Sequence, residues 1–195
     1  MATGTQDETA PLPATPAEGR AAWASVPDVQ SQGREPDPYD VARQIVLRQL
    51  AMAPRSRAEL FKKLAERGCA AEVAARVLDR MTQVGLIDDR AYAQMFVRSR
   101  QAERGLAKGA LARELHAKGI ESHLADEALA SISDEDEHDR ARALVDKKLR
   151  AMHGLGIEVQ TRRLAAMLAR KGYSASVTYA AIREAVAEAP EHLPD

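Results

Sequence analysis

The chain has 195 residues, 45% of them hydrophobic and 29% charged, with a formal net charge of −1. That is enough apolar material for a real core, while a single cysteine, Cys69, excludes a disulfide framework or a cysteine-built zinc site. Aromatic residues are only 4% of the chain, which suits closely packed helices better than a β-sandwich. No run is apolar enough to span a bilayer and no basic-then-apolar leader appears, so the expectation is a cytoplasmic chain without membrane contact.

In chain order, residues 1–36 hold five prolines among Ala, Thr, Gln and acids, without helical periodicity. They predict a disordered acidic tail, in which Trp23 and Val26 read as stray apolar residues rather than a docking motif. A first three-helix unit is expected over 37–87. Asp37-Pro38 is an N-cap followed by proline at the first helical position. Val41, Ile45, Val46, Leu47 and Leu50 mark the inner side of that helix, and Pro54 ends it. Ser56-Arg57-Ala58-Glu59 is a capping box opening a second helix that runs to Gly68, and a third covers about Ala71–Val84.

A second unit is expected over 88–132. Gly85 can take a left-handed cap, Leu86 and Ile87 can fold back onto the core, and an aspartate caps the helix carrying Tyr92, Met95, Phe96 and Val97 inward. Helices over Lys108–Lys118 and Ser122–Ser131 follow. A third unit, 133–189, opens on Ser133 and the acids 134–137, which complement the helix dipole better than they form a metal site. Residues 190–195 read as a frayed end.

The units are copies. Leu60–Gly68, Leu111–Gly119 and Leu164–Gly172 each carry two leucines four apart, a basic residue and a terminal glycine. Beyond the glycines, Val73, Leu124 and Val177 align, as do Leu78, Leu129 and Ile182; the pairs Val77 and Met81, Ala128 and Ile132, and Ala181 and Ala185 complete one stripe of a following helix. The glycines lie 51 and 53 residues apart, a tandem-repeat period. The fold class is therefore all-α: three tandem three-helix repeats forming an elongated curved body, preceded by a disordered tail.

Catalytic patterns are missing. The five histidines show no metal-binding spacing, and no phosphate-cradling glycine loop or nucleophile elbow occurs. Asp88 and Asp89, being adjacent, diverge on a helix and suit capping. Cys69 aligns with Ile120 and Tyr173 and reads as a small core residue. No cofactor and no metal are expected, and the chain reads as a non-enzyme; a helical enzyme using the carboxylates at 134–139 with a metal is the weakest alternative.

Charge carries more. Residues 41–120 hold 16 Lys/Arg against 8 Asp/Glu and residues 140–187 hold 10 against 3, whereas 121–139 hold 8 acids and no base. Such an excess should draw a polyanion or an acidic protein groove. The candidate binding face is Arg55, Arg57, Lys62, Lys63, Arg98, Arg100, Arg104, Lys108, Arg113, Lys118, Arg162 and Arg163. The competing reading is that alanine-rich helices simply need solvated faces. With few aromatics for stacking, any nucleic-acid contact should be weak, backbone-directed and not sequence-specific.

The runs G-L-I-D-D-R-A-Y-A at 85–93, R-S-R-A-E-L at 55–60, E-L-H-A-K-G-I at 114–120 and R-K-G-Y at 170–173 resemble the RecX family of bacterial recombination regulators, with Tyr173 where Phe is more usual. The resemblance covers about residues 40–188. It implies a monomer that binds the RecA recombinase, lies in the groove of the RecA–DNA filament, and inhibits its ATPase, strand-exchange and coprotease functions in recombinational repair and the SOS response. It supplies no catalytic residues. A basic helical-repeat protein acting on DNA directly is the alternative.

Overall fold

The computed structural model describes residues 37–188. The tail expected at 1–36, with Trp23 and Val26, and the chain end at 190–195 lie outside the described residues. Among the described residues there are nine helices and no strand, in three consecutive triplets, as the repeat pattern requires. The first triplet is α1 (Pro38–Met52), α2 (Arg57–Ala65) and α3 (Ala71–Gln83). The second is α4 (Asp89–Arg104), α5 (Lys108–Ala117) and α6 (Ser122–Ala130), and the third α7 (Asp134–Arg150), α8 (Ile157–Lys171) and α9 (Ala175–Ala187).

Local chemistry starts these helices where the sequence asks. Asp37 accepts from the Tyr39 amide at the head of α1, with proline at the first position. Ser56 and Glu59 form a complete capping box on α2, Asp88 accepts from Ala91 on α4, and Ser133 accepts from Asp136 on α7. The acids after Ser133 occupy the first turn of α7 and the bases Lys147, Lys148 and Arg150 its last, both favourable ends of the helix dipole.

Each triplet buries its own core. Val46, Leu60, Leu64, Val77 and Leu78 centre the first. Phe96, Val97, Leu111, Leu115 and Leu129 centre the second, and Val145, Leu164, Leu168, Ala181 and Ile182 the third. The six leucines of the three copied helices are all fully buried. Two details depart from the sequence pattern. Val41 is 41% exposed and Leu86 is 51% exposed; Ala42 takes the inward place on α1 and Ile87 that of the hinge, because a helix stripe or a two-residue return has room for one of two neighbouring apolar side chains.

The triplets meet end to end through their middle helices. Gly119, past the end of α5, has φ +71, and a Cβ built there would lie 2.3 Å from the Ala58 Cβ in the first turn of α2. Gly172, past the end of α8, has φ +85, and its Cβ would lie 2.3 Å from the Ala110 amide in the first turn of α5. Gly68 has a similar backbone, φ +76, but among the described residues a Cβ there would meet nothing within 4 Å. Gly68→Ala should therefore cost only the left-handed strain, about 1–2 kcal/mol, and Gly119→Ala distinctly more. Denaturant melts of the two variants check this; equal losses would mean that the junction is loosely packed. Leu115→Ala should cost about 2–5 kcal/mol by the same measurement.

Candidate functional site

The junctions determine which charged residues remain available to a partner. At the first junction Ser56 Oγ donates to the Lys118 carbonyl at 2.6 Å, and the Arg57 amide donates to Asp89 Oδ1 at 2.8 Å. Glu59 is the hub: it accepts from the Ser56 amide at 3.2 Å, the Tyr92 hydroxyl at 3.2 Å and Lys118 Nζ at 2.6 Å. The second junction repeats this plan with different side chains. The Ala107 amide donates to the Lys171 carbonyl at 3.0 Å, and the Lys108 amide donates to Glu137 Oε1 at 2.8 Å. Lys171 Nζ donates to the Arg104 carbonyl, and the Tyr173 hydroxyl donates to the Gly105 carbonyl at 3.2 Å. Asp88 and Asp89 thus serve different helices, one its own and one the neighbouring triplet's.

The twelve basic candidates divide accordingly. Arg55 lies 3.8 Å from Glu59, Arg57 2.7 Å from Asp79 and Lys63 3.0 Å from Glu66. Arg100 is 3.1 Å from Glu103 and also flanks Glu114, which Arg104 reaches at 2.9 Å. Lys108 pairs with Asp134 at 2.7 Å, and Lys118 with Glu59 at 2.6 Å. Lys62, Arg98, Arg113, Arg162 and Arg163 are exposed and make no ion pair or side-chain hydrogen bond among the described residues. Lys62 and Arg113 occupy the same place in α2 and α5, six residues before the aligned glycines. Arg162 stands one helical turn earlier on α8, so it shares that face. The row of middle helices therefore carries an unpaired base on each member.

Arg98 faces an open groove of about 400 Å³ between the first two triplets, lined also by Leu50, Arg55, Leu86, Tyr92, Met95 and one carboxylate, Asp88, which is engaged as the cap of α4. Arg55 Nε is buried there without a hydrogen-bond partner. Apolar walls with two guanidinium groups suit an anionic or carboxylate-bearing contact. Among the described residues no three His, Cys, Asp or Glu side chains are grouped to hold a metal, and no helix is long and apolar enough to cross a membrane. Lys118 and Lys108, both in the candidate binding face, also make contacts at the junctions, Lys118 with Glu59 and Lys108 with Glu137 through its amide and Asp134 through its side chain.

Three family models match in order: the first three-helix domain of RecX over residues 42–81, the second over 88–129 and the third over 134–182. The chain belongs to the RecX family. It is 48% identical over 162 residues to the regulatory protein RecX of Streptomyces coelicolor, covering 82% of this chain and 86% of that one. It is 47% identical over 141 residues to the Mycobacterium avium protein of the same name, covering 72% and 82%. A crystal structure of RecX from Lactobacillus salivarius superimposes with a TM-score of 0.71 at 21% identity, over 76% of this chain and 97% of that one. A second RecX crystal structure gives 0.68 at 28% identity, over 76% and 72%. The fold and a regulatory role follow from these matches.

Electrostatics at the Glu59 hub make the junction sensitive to acid. Burial alone would raise the Glu59 pKa, but Lys118, the Ser56 amide and the Tyr92 hydroxyl outweigh it and hold the group below 4.5. Burial, then the Glu59 charge, push Tyr92 up to about 12, so it remains a donor. A carboxylate held lower in the fold than in the unfolded chain adds stability above its unfolded pKa and loses it as pH falls through the folded value. Asp89 has the opposite sign, because burial raises its pKa above 3.8 despite the Arg57 amide. Glu59→Gln separates the two. The native chain should be the more stable at about pH 7 and lose that advantage as pH falls below the ordinary glutamate value of about 4.3 and through the lower folded one, read from denaturant midpoints. A constant difference would assign the hub's strength to shape rather than charge.

Proposed function

We propose that this RecX-family chain is a non-enzymatic regulator that binds RecA and the RecA–DNA filament in the cytoplasm and lowers its ATPase, strand-exchange and coprotease activities. The observation that carries the reading is family membership across all three domains, since the relatives are named regulatory proteins. The surface chemistry is compatible: unpaired bases recur along the middle helices, and Arg98 lines a groove with apolar walls. Filament binding through such bases draws on phosphate or carboxylate charge and weakens as salt rises.

The direct test titrates the purified chain into a RecA–single-strand DNA ATPase assay, where inhibition that deepens with added chain is expected. Replacing Lys62, Arg98 and Arg113 together by Ala should weaken filament binding roughly tenfold, three exposed contacts at about 0.2–1 kcal/mol each, with helicity unchanged. Replacing Arg100 and Arg104, which are held by Glu103 and Glu114, should weaken it less. Tight binding to DNA without RecA, with no effect on the filament ATPase, would replace this reading with a DNA-binding one.

A further inference from the structure

Both internal junctions use one seat. The end of a middle helix presents a basic residue, a glycine and a buried residue, and the start of the preceding middle helix lies across it. Lys118-Gly119-Ile120 holds the start of α2, and Lys171-Gly172-Tyr173 holds the start of α5. The first triplet has the same end, Arg67-Gly68-Cys69, with no described helix on it. Arg67 is exposed and makes no ion pair among the described residues. Among the described residues, a Cβ on Gly68 would meet nothing within 4 Å. Cys69 is half-buried, whereas Ile120 and Tyr173 are 2% and 6% exposed. The first turn of the first helix also supplies Asp89 and Glu137 to the two filled seats. In α1 that turn carries Asp40, exposed and without a described partner.

We propose that Arg67–Cys69 is a docking seat for the first turn of a helix from another protein. The two filled seats specify the occupant. Its N-cap donates to the carbonyl of the basic residue, as Ser56 does to Lys118 and Ala107 to Lys171. Two positions on it carries a small residue, as at Ala58 and Gly109, because the glycine beneath leaves no room for more. In the first seat an acid at the next position, Glu59, pairs with the base, whereas the second has Ala110 there and its Lys171 donates to the Arg104 carbonyl; the exposed Arg67 favours an occupant of the first kind. A second copy of this chain does not fit. Its α2 and α5 starts are already seated, and in α8 the place aligned with Ala58 and Gly109 is Arg162. That arginine also closes the far end of the row to a fourth repeat, as terminal repeats in stacked folds do.

The inference is independent of the RecA reading, and Cys69, the chain's single cysteine, reports it. The probe is a helix-stapled peptide of residues 54–65, the segment already held on Gly119; stapling is needed because a short helix is marginal in water. Iodoacetamide alkylation of Cys69 in the full chain is timed with and without it. At about ten times the peptide's Kd the rate should fall about tenfold, since only the empty seat reacts. Peptides carrying A58L or E59K should not protect, and Arg67→Glu in the chain should weaken the native peptide, with labelled-peptide anisotropy as the second readout. No protection up to about millimolar peptide, or equal protection by the A58L peptide, would overturn the proposal. A thiol already protected in the chain alone, with dilution releasing it, would assign the seat to a second copy.

Discussion

Where one repeat meets the next, a helix start is pressed against a helix end so closely that a methyl group on Gly119 or Gly172 would collide with it. That approach brings the orphan amides of one helix within reach of carboxylates on the next triplet, Asp89 for Arg57 and Glu137 for Lys108. It also leaves buried polar groups that must find partners. Glu59 shows how the demand is met: one carboxylate closes its own capping box and receives Tyr92 and Lys118 from the neighbouring repeat. The cores of the triplets are thereby joined by short, specific polar contacts, with Ala107 at the head of α5 packed into the core of the third triplet.

The same arrangement sorts the surface charge. Bases beside a junction or a facing acid are held, as Lys118, Lys108 and Arg104 are. Those on the outer face of the middle helices are left to solvent. A net charge near zero thus conceals a set of uncommitted cations in repeating positions. Under the proposed binding to a RecA filament, such positions would matter more than any single pocket, because several weak contacts on one body add through effective concentration. This suits a family whose members are named regulatory proteins.

The ends of the row differ for a physical reason. At the α8 end, Arg162 stands where Ala58 and Gly109 allow close approach, and α8 begins well before the aligned starts of α2 and α5. At the α2 end, no described residue lies against the glycine. A stack built from one repeated contact necessarily has two unlike ends, and the side chains there decide whether it can grow.

Much of this was legible in the sequence because it is local. Helix starts at Ser56, Asp88 and Ser133, helix ends at the copied glycines, the leucine stripes and the repeat period all follow from backbone geometry and from the spacing of apolar residues. The motif resemblance placed the family. The capping box announced Glu59, but not that Tyr92 and Lys118, 33 and 59 residues away, would share it. Nor could composition separate Lys118 from Arg113, or Leu86 from Ile87, since a base or an apolar side chain looks the same whether a partner stands opposite or not. Those distinctions are set by which helix end lies against which helix start, a contact between residues far apart in the chain that only the tertiary structure decides.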